Sequence, residues 1–567
     1  MRVKNIITSA FASLTLVSCS WIDLGPTSQL SPDQIWGGDE TTLDGYVFGL
    51  YAAIRDKAEI YSRNAFSDAY TDIVKSGSWD QYGHTYNSIS MEPNVVTSDN
   101  ASTFEIWEDS YVRIKRDNEF LRDASKYAGN FSDAFLRTRV AEIKFIRSVS
   151  YFYLIRVYAG VVIRDENDGV DGPARNNKPR LTEAESWDWV MTNLSEAARD
   201  LPEAWEGGNY GRATKAAAFG LLSRCGIYKV WALKNHGGTD AEVKAACQEV
   251  IDAADSCKAH GGALVSDYAS VFSSQVNSEN LFTVSFFSNT RSSNLNHEAD
   301  RFFRPKGDSK THGGATVSAT FGPTAELADA YEMADGTAFD WSVHGSDPWT
   351  CREPRFYATI LYNDARWEGR RLRMYNNPDD PDGVYDGFGT FRKSGSAEAS
   401  VTGYYMRKWI TEEDNSWTTN GSSHFWIFLR YAEVLLNKAE AQALSGDIPG
   451  AVATLGQVRS RVGLPNITAS DLSGFWPLLE HERIVELAGE GFRYWDLRRW
   501  RRAFDVLNGS SVHGCKPTLQ SDGSYTYERI DADGGYTRIF KEEYYAFSIP
   551  VSERSANTEL GDNNPGW

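Results

Sequence analysis

Cysteine is scarce: six in 567 residues, at 19, 225, 247, 257, 351 and 515, with no two spaced as CxxC. That excludes paired-cysteine zinc and dithiol centres, and the odd number left beyond Cys19 argues against a complete disulfide framework. Stability must come from packing, with Cys225, Cys247 and Cys257 read as buried thiols on helical patterns. Beyond the N-terminus no segment offers 18 continuous apolar residues, so no membrane-spanning helix is expected. Basic residues are also short, 58 Lys and Arg against 77 Asp and Glu, for a formal charge of −19. Such a surface repels nucleic acid and anionic headgroups, and no nucleic-acid partner is expected. Catalytic signatures are missing: no GxSxG elbow, Walker loop or dinucleotide fingerprint occurs, and His481-Glu482 lacks the second His of a zinc site. With 77 acids, carboxylate pairs occur by chance and none is marked for glycoside hydrolysis. No catalytic residue, cofactor or metal is assigned. The acidic loop Asn376 to Gly383 suits calcium, but Pro378 stands where a calcium loop needs its first acid, and a solvated turn is the reading adopted.

What is abundant is aromatic side chain: 13% of the chain, including 18 Trp and 28 Tyr, residues suited to half-wet surfaces as well as cores. Helical signals dominate residues 40–260. The stretch 133–158 is apolar on a helical period, with Arg and Lys on its other face. Thr182 with Glu185, and Thr239 with Glu242, read as capping boxes opening two further helices around the Ala-rich helix 212–234. Downstream, 425–444 and 449–461 form a helix pair joined by Ser445-Gly446-Asp447. Small residues at facing positions and short glycine turns read as degenerate tetratricopeptide-like hairpins, which must stack to bury their apolar faces. The fold class is therefore mainly α: a helical-hairpin scaffold interrupted by a large irregular, partly β insert carrying aromatic-rich loops. In that insert 281–287, 356–362 and 404–410 read as strands. The divisions expected are 1–18 leader, 19–39 tail, 40–260 scaffold with a loop insert near 64–100, 261–420 variable insert, and 421–567 C-terminal helical pairs.

The N-terminus joins Arg2 and Lys4 to an apolar run ending Leu16-Val17-Ser18-Cys19, which resembles a lipobox. That resemblance implies cleavage before Cys19 and acylation of this cysteine as a lipid anchor. The strings FLRYAEVLLNKAEA at 428–441, ERIVELAGEGFRYWDLRRW at 482–500 and NNPGW at 563–567 resemble the SusD/RagB family of outer-membrane nutrient-binding lipoproteins. Family-like strings also stand upstream: YFYLIRVY at 151–158, GRAT at 211–214, Asp335-Gly336, EPRFYAT at 353–359 and GYYMRK at 403–408. They cover most of the chain in the family's order. The usual Gly-Gly-Val-Pro appears here as Ala159-Gly160-Val161-Val162. The resemblance implies a tetratricopeptide-containing α fold anchored in the outer membrane and facing the cell surface. It also implies non-covalent capture of an oligo- or polysaccharide, and a SusC-like TonB-dependent transporter as partner. Peptide capture on the same architecture is the alternative, and glycoside hydrolysis a remoter one.

Flat rings cover the apolar face of a sugar while amides, carboxylates and guanidinium groups bond its rim. Three clusters are candidates. The first is Asp68, Asp72, Trp79, Tyr82 and Tyr86, where glycines and polar residues surround the rings. The second is Phe287, Arg291, Asn294, Asn296, Phe302, Phe303 and Arg304, and the third is Trp341, Trp349 and Trp367. The basic run Arg498 to Arg502, at a helix end, reads as neutralising carbonyls and acids rather than binding a polyanion.

Overall fold

A computed structural model describes residues 31–567 except 62–65, 80–85, 93, 102–103, 169–176, 288–295, 376–382, 392–394, 397–398 and 413–414. Helices α1 (Glu40–Leu50), α2 (Trp107–Lys126) and α3 (Asp133–Tyr158) open the scaffold. They lead into α4 (Glu183–Asp200), α5 (Lys215–Asn235) and α6 (Asp240–Ala259). From α2 to α6 each helix packs on the next. Both capping boxes form: Thr182 and Glu185 close the start of α4, Thr239 and Glu242 that of α6, each satisfying orphan amides worth about 1 kcal/mol. Close approach between α5 and α6 needs Gly226, where a Cβ would stand 2.8 Å from a Val250 methyl.

Helix α3 differs from its expected amphipathic form. It lies at the centre, buried on nearly every side, and even Arg139 and Arg147 are inside. Arg147 is tolerated there because it donates to Asn118 (2.7 Å) and Glu166 (2.5 Å) and to Asn193 (2.5 Å). At its C-cap Ala159 takes φ 60° and ψ −122°, a conformation natural only to glycine.

After α6 the chain leaves the scaffold for more than 160 residues, then returns: α8 (Tyr431–Ser445) packs directly on α6, and α9 (Ile448–Arg461) and α10 (Leu472–Leu487) pack on α8. The excursion holds the short helix α7 (Pro354–Thr359). The α8–α9 turn has the expected shape, with Gly446 left-handed at φ 100° and Asp447 capping α9. Two expectations fail. Residues 356–362 are not one strand, because Pro354 starts α7 and only Ile360–Leu361 pairs, with Tyr405–Met406. The predicted helix 425–444 begins instead as a strand, Trp426–Arg430, paired antiparallel with Asn280–Val284. Short apolar runs do not distinguish helix from strand by period alone. Among the described residues every sheet is a two-stranded ribbon, the longest being His513–Leu519 against Tyr525–Asp531.

Scaffold and excursion are joined by buried ion pairs. Arg355 at the start of α7 meets Glu353 (2.6 Å), Glu482 (2.5 Å) and Glu486 (3.0 Å). Arg430 meets Glu279, Glu486 and Glu490 at 2.6–3.0 Å, and Lys408 meets Glu490 at 2.9 Å. Burial alone would raise the Glu486 carboxyl, but Arg461, Arg430 and Arg355 converge on it and hold it well below the usual range. Glu490, Arg493 and Asp496 are all buried in polar contacts. Helix α11 (Arg493–Arg499) carries Arg498, which donates to the carbonyls of Arg156 and Tyr545, and Arg499, which pairs with Glu440 and Asp496. The basic run is structural, as its place at a helix end suggested. Cys225, Cys247, Cys257 and Cys515 are buried and unpaired, and Cys351 is exposed.

Candidate functional site

Aromatic rings converge on Trp349. Its indole lies 6.0 Å from Phe356 in a stacked pair, 5.1 Å from Tyr362 and 5.4 Å, edge to face, from Tyr527. Its Nε1 donates to the Tyr527 hydroxyl at 3.1 Å, and its carbonyl accepts from the Tyr357 hydroxyl at 2.6 Å. Helix α7 supplies Phe356 and Tyr357; the turn after it supplies Tyr362, 6.2 Å from Tyr357. The C-terminal hairpin supplies the rest: Tyr525 and Tyr527 are half-buried and alternate with exposed Thr526 and Glu528. Tyr525 sits 6.4 Å from Tyr527 and 6.0 Å from Tyr375.

The rings thus run in sequence Tyr375, Tyr525, Tyr527, Trp349, Tyr362, Tyr357. All are half-exposed except Trp349, which is 8% exposed and lies beneath them. Hydrogen bonds hold Tyr357 and Tyr527 and ring contacts hold the others, which lowers the ordering needed when something binds. Polar groups rim it. Arg407 donates to the Tyr357 carbonyl (3.2 Å) and to Glu412 (3.1 Å), while Asp364 pairs with Arg371. Burial pushes the Tyr362 hydroxyl up to about 12, so it stays a neutral donor and acceptor. Among the described residues no group of three or more His, Cys, Asp or Glu could hold a metal ion. The acidic loop 376–383 lies, except for Gly383, outside the described residues.

The sequence candidates divide. Cys19, Tyr82, Arg291 and Asn294 lie outside the described residues; Trp79 belongs to a two-residue strand, Ser78–Trp79, paired with Gly395–Ser396. The rest of the first cluster is structural. Asp68 is fully buried, accepts from the Gly491 (3.1 Å) and Arg493 (3.2 Å) amides, and is pushed up to about 7 by burial. Asp72 pairs with Arg493 at 2.8 Å, which outweighs burial and holds the carboxyl below its usual value. Tyr86 is buried, its hydroxyl accepting from the Phe66 amide at 2.7 Å. Asp68 and Tyr86, without open surface, cannot lie against a sugar, while Asp72 keeps 22% of its side chain exposed.

In the second cluster Phe302 and Phe303 are core. Arg304, also fully buried, is held by Asp300 (2.8 Å), Asp308 (3.2 Å) and Glu368 (2.6 Å). Asn296 donates to the Asn420 carbonyl, and Phe287 is 59% exposed. In the third, Trp341 is half-exposed, bonds Asp329 at 3.0 Å and lies 6.3 Å from Trp349. Trp367 is a buried pin whose Nε1 donates to Asp308 at 3.0 Å. Among the described residues of the three clusters, only members of this one touch the run of rings. Sequence reasoning passed over Tyr357, Tyr362, Tyr375, Tyr525 and Tyr527; the alternation in 524–529 was a readable sign of the last two. A separate cavity of about 390 Å³ lies beside α2, but Trp107 there is buried and the Tyr111 hydroxyl is committed to the Val162 carbonyl at 2.6 Å.

Comparison with known proteins agrees with the fold. The family described as "SusD family" matches residues 278–567, and the one described as "Starch-binding associating with outer membrane" matches 20–227. A SusD-like protein of Bacteroides ovatus is 26% identical over 278 residues, 47% of this chain and 47% of that protein, so the match spans about half its length. A solved SusD-like protein from Bacteroides fragilis superposes with TM-score 0.74 at 26% identity, over 95% of this chain and 99% of that one. A SusD-like carbohydrate-binding protein from the same organism gives TM-score 0.72 at 26% identity, over 93% of this chain and 100% of that one.

Proposed function

The chain belongs to the SusD family, and from that premise we propose that it captures oligo- or polysaccharide on the aromatic surface around Trp349, without performing chemistry on it. It is anchored to the outer membrane through acylated Cys19, faces outward, and passes its cargo to a SusC-like TonB-dependent transporter. The family description that names starch binding and the outer membrane supports this reading, as does a carbohydrate-binding relative of the same fold. The observation that carries it is the run of five half-exposed tyrosines, two of which, Tyr362 and Tyr527, pack on Trp349.

A ring covering about 100 Å² of sugar contributes roughly 2.5 kcal/mol at about 25 cal/mol per Å². Two such platforms and a few hydrogen bonds, less the association cost, leave a net of roughly 4–6 kcal/mol. That corresponds to dissociation constants between about 1 mM and tens of μM, which suits a protein that must release its cargo. Calorimetry against a polysaccharide panel tests the reading. Tyr362→Ala should weaken binding by about 1–3 kcal/mol while the protein stays folded at the assay temperature. Unchanged affinity in Tyr362→Ala and Tyr527→Ala would remove the site; no binding across the panel would remove the function.

A further inference from the structure

Beside the rings stands a hairpin whose construction points to the charge of the ligand. Arg366–Trp367 pairs antiparallel with Arg370–Arg371 across a tight turn in which Glu368 and Gly369 take φ 47° and 73°. Its inner side is pinned. Trp367 is buried on Asp308; Arg370 bonds Asp386 at 2.8 and 2.9 Å and Asp308 at 2.7 Å; Glu368 turns inward to Arg304 at 2.6 Å. Its outer side holds two like charges, because Arg366 and Arg371 are directly opposite each other in register and both are exposed. Like charges in cross-strand register cost stability. Asp364 answers only one of them, at 2.5 Å from Arg371; Arg366 has no ion-pair partner among the described residues.

The hairpin adjoins the rings at both ends. Tyr362 precedes Arg366 by four residues, Tyr375 follows Arg371 by four, and Arg371 lies within electrostatic reach of the Tyr362 hydroxyl. Burial alternates along the outgoing strand, with Arg371 exposed, Arg373 and Tyr375 half-exposed, and Leu372 and Met374 inside. Guanidinium groups therefore share the aromatic face, on a chain of net charge −19. The overall charge does not cancel them, since fields fade over about 8 Å at physiological salt.

We propose, resting on the glycan-binding reading, that the ligand is an anionic polysaccharide whose sugar faces lie on the tyrosines and whose carboxylate or sulfate groups are held by Arg366 and Arg371. Planar guanidinium forks match both anions with paired N–H donors. A neutral chain would leave Arg366 without a counter-charge.

Calorimetry with polygalacturonate, chondroitin sulfate and laminarin separates the cases: a carboxylated chain, a chain bearing both sulfate and carboxylate, and a neutral one. An anionic polymer should bind at least about tenfold more tightly than laminarin, and weaken as NaCl rises towards about 0.5 M. The Arg366→Gln/Arg371→Gln double variant should lose about tenfold or more of that affinity. Because both sites are exposed its melting should match wild type. Independently of any variant, carboxyl-reduced polygalacturonate should lose the binding that its parent shows. Chondroitin sulfate binding that is lost on desulfation would assign sulfate as the anion; polygalacturonate binding would assign carboxylate. Laminarin bound as tightly as both anionic chains, or wild-type affinity for them in the double variant, overturns this inference and leaves glycan binding standing. Binding of none of the three overturns both.

Discussion

Arg355 ties α7, the helix that carries Phe356 and Tyr357, to the scaffold, so Arg355→Met tests how the site is held. The guanidinium is fully buried and touches Glu353, Glu482 and Glu486 at 2.5–3.0 Å. Without it, Glu482 keeps Arg459 at 3.2 Å and Glu486 keeps Arg430 and Arg461. Glu353, fully buried, keeps no ion-pair partner among the described residues. Removing one partner of a buried pair costs about 3–5 kcal/mol, because the charge left behind stays desolvated. Urea unfolding followed by tryptophan fluorescence would read that loss. Its pH dependence has a definite sign. Burial already raises the Glu353 carboxyl, with Arg355 opposing, and the substitution raises it further. A raised native value stabilises fully only below the unfolded value of about 4.3 and loses that contribution as pH climbs through the native one. The variant's deficit should therefore be larger near about pH 8 than near about pH 5, and adding Glu353→Gln should recover part of it. A deficit below about 1 kcal/mol, or one growing on acidification, would refute the reasoning.

Ala159→Gly should raise stability by about 1 kcal/mol in the same assay, because φ 60° with ψ −122° strains any residue with a Cβ; a loss would mean the alanine is not strained. Glu59 and Asp68 are pushed up by burial to about 8 and about 7. Their contribution is complete at low pH and fades as pH rises through those values, so wild type should lose stability between about pH 6 and 9. Glu59→Gln, which mimics the protonated form bonded to Ser67, should flatten that loss; an unchanged slope would exclude Glu59 as its source. Tyr362→Ala and the Arg366/Arg371 pair carry the binding predictions given above.

The scaffold was legible because its signals are local. The two capping boxes, the glycine turn at 446 and the long apolar periods each specify a helix regardless of its neighbours. The segments 356–362 and 425–430 were misread because a short apolar run suits either period, and Pro354 and the partner strand at 280–284 decided the outcome. The site was harder to read. Asp68, Tyr86 and Arg304 sit in glycine-rich, polar stretches that suggest open loops, yet long-range partners bury them: Gly491 and Arg493 for Asp68, Phe66 for Tyr86, Glu368 for Arg304. Trp349 stood in the third cluster of candidates. Its neighbours Tyr362 and Tyr527 come from segments 165 residues apart, and no pattern along the chain announces that meeting.

A crystal structure of the protein soaked with an oligosaccharide cut from its tightest-binding polysaccharide tests the central claim most directly. It should show a pyranose face lying parallel to Tyr362 or to Tyr527, with Trp349 beneath. A sugar seated on Phe287, in the cavity beside α2, or anywhere that leaves these tyrosines bare would contradict the account.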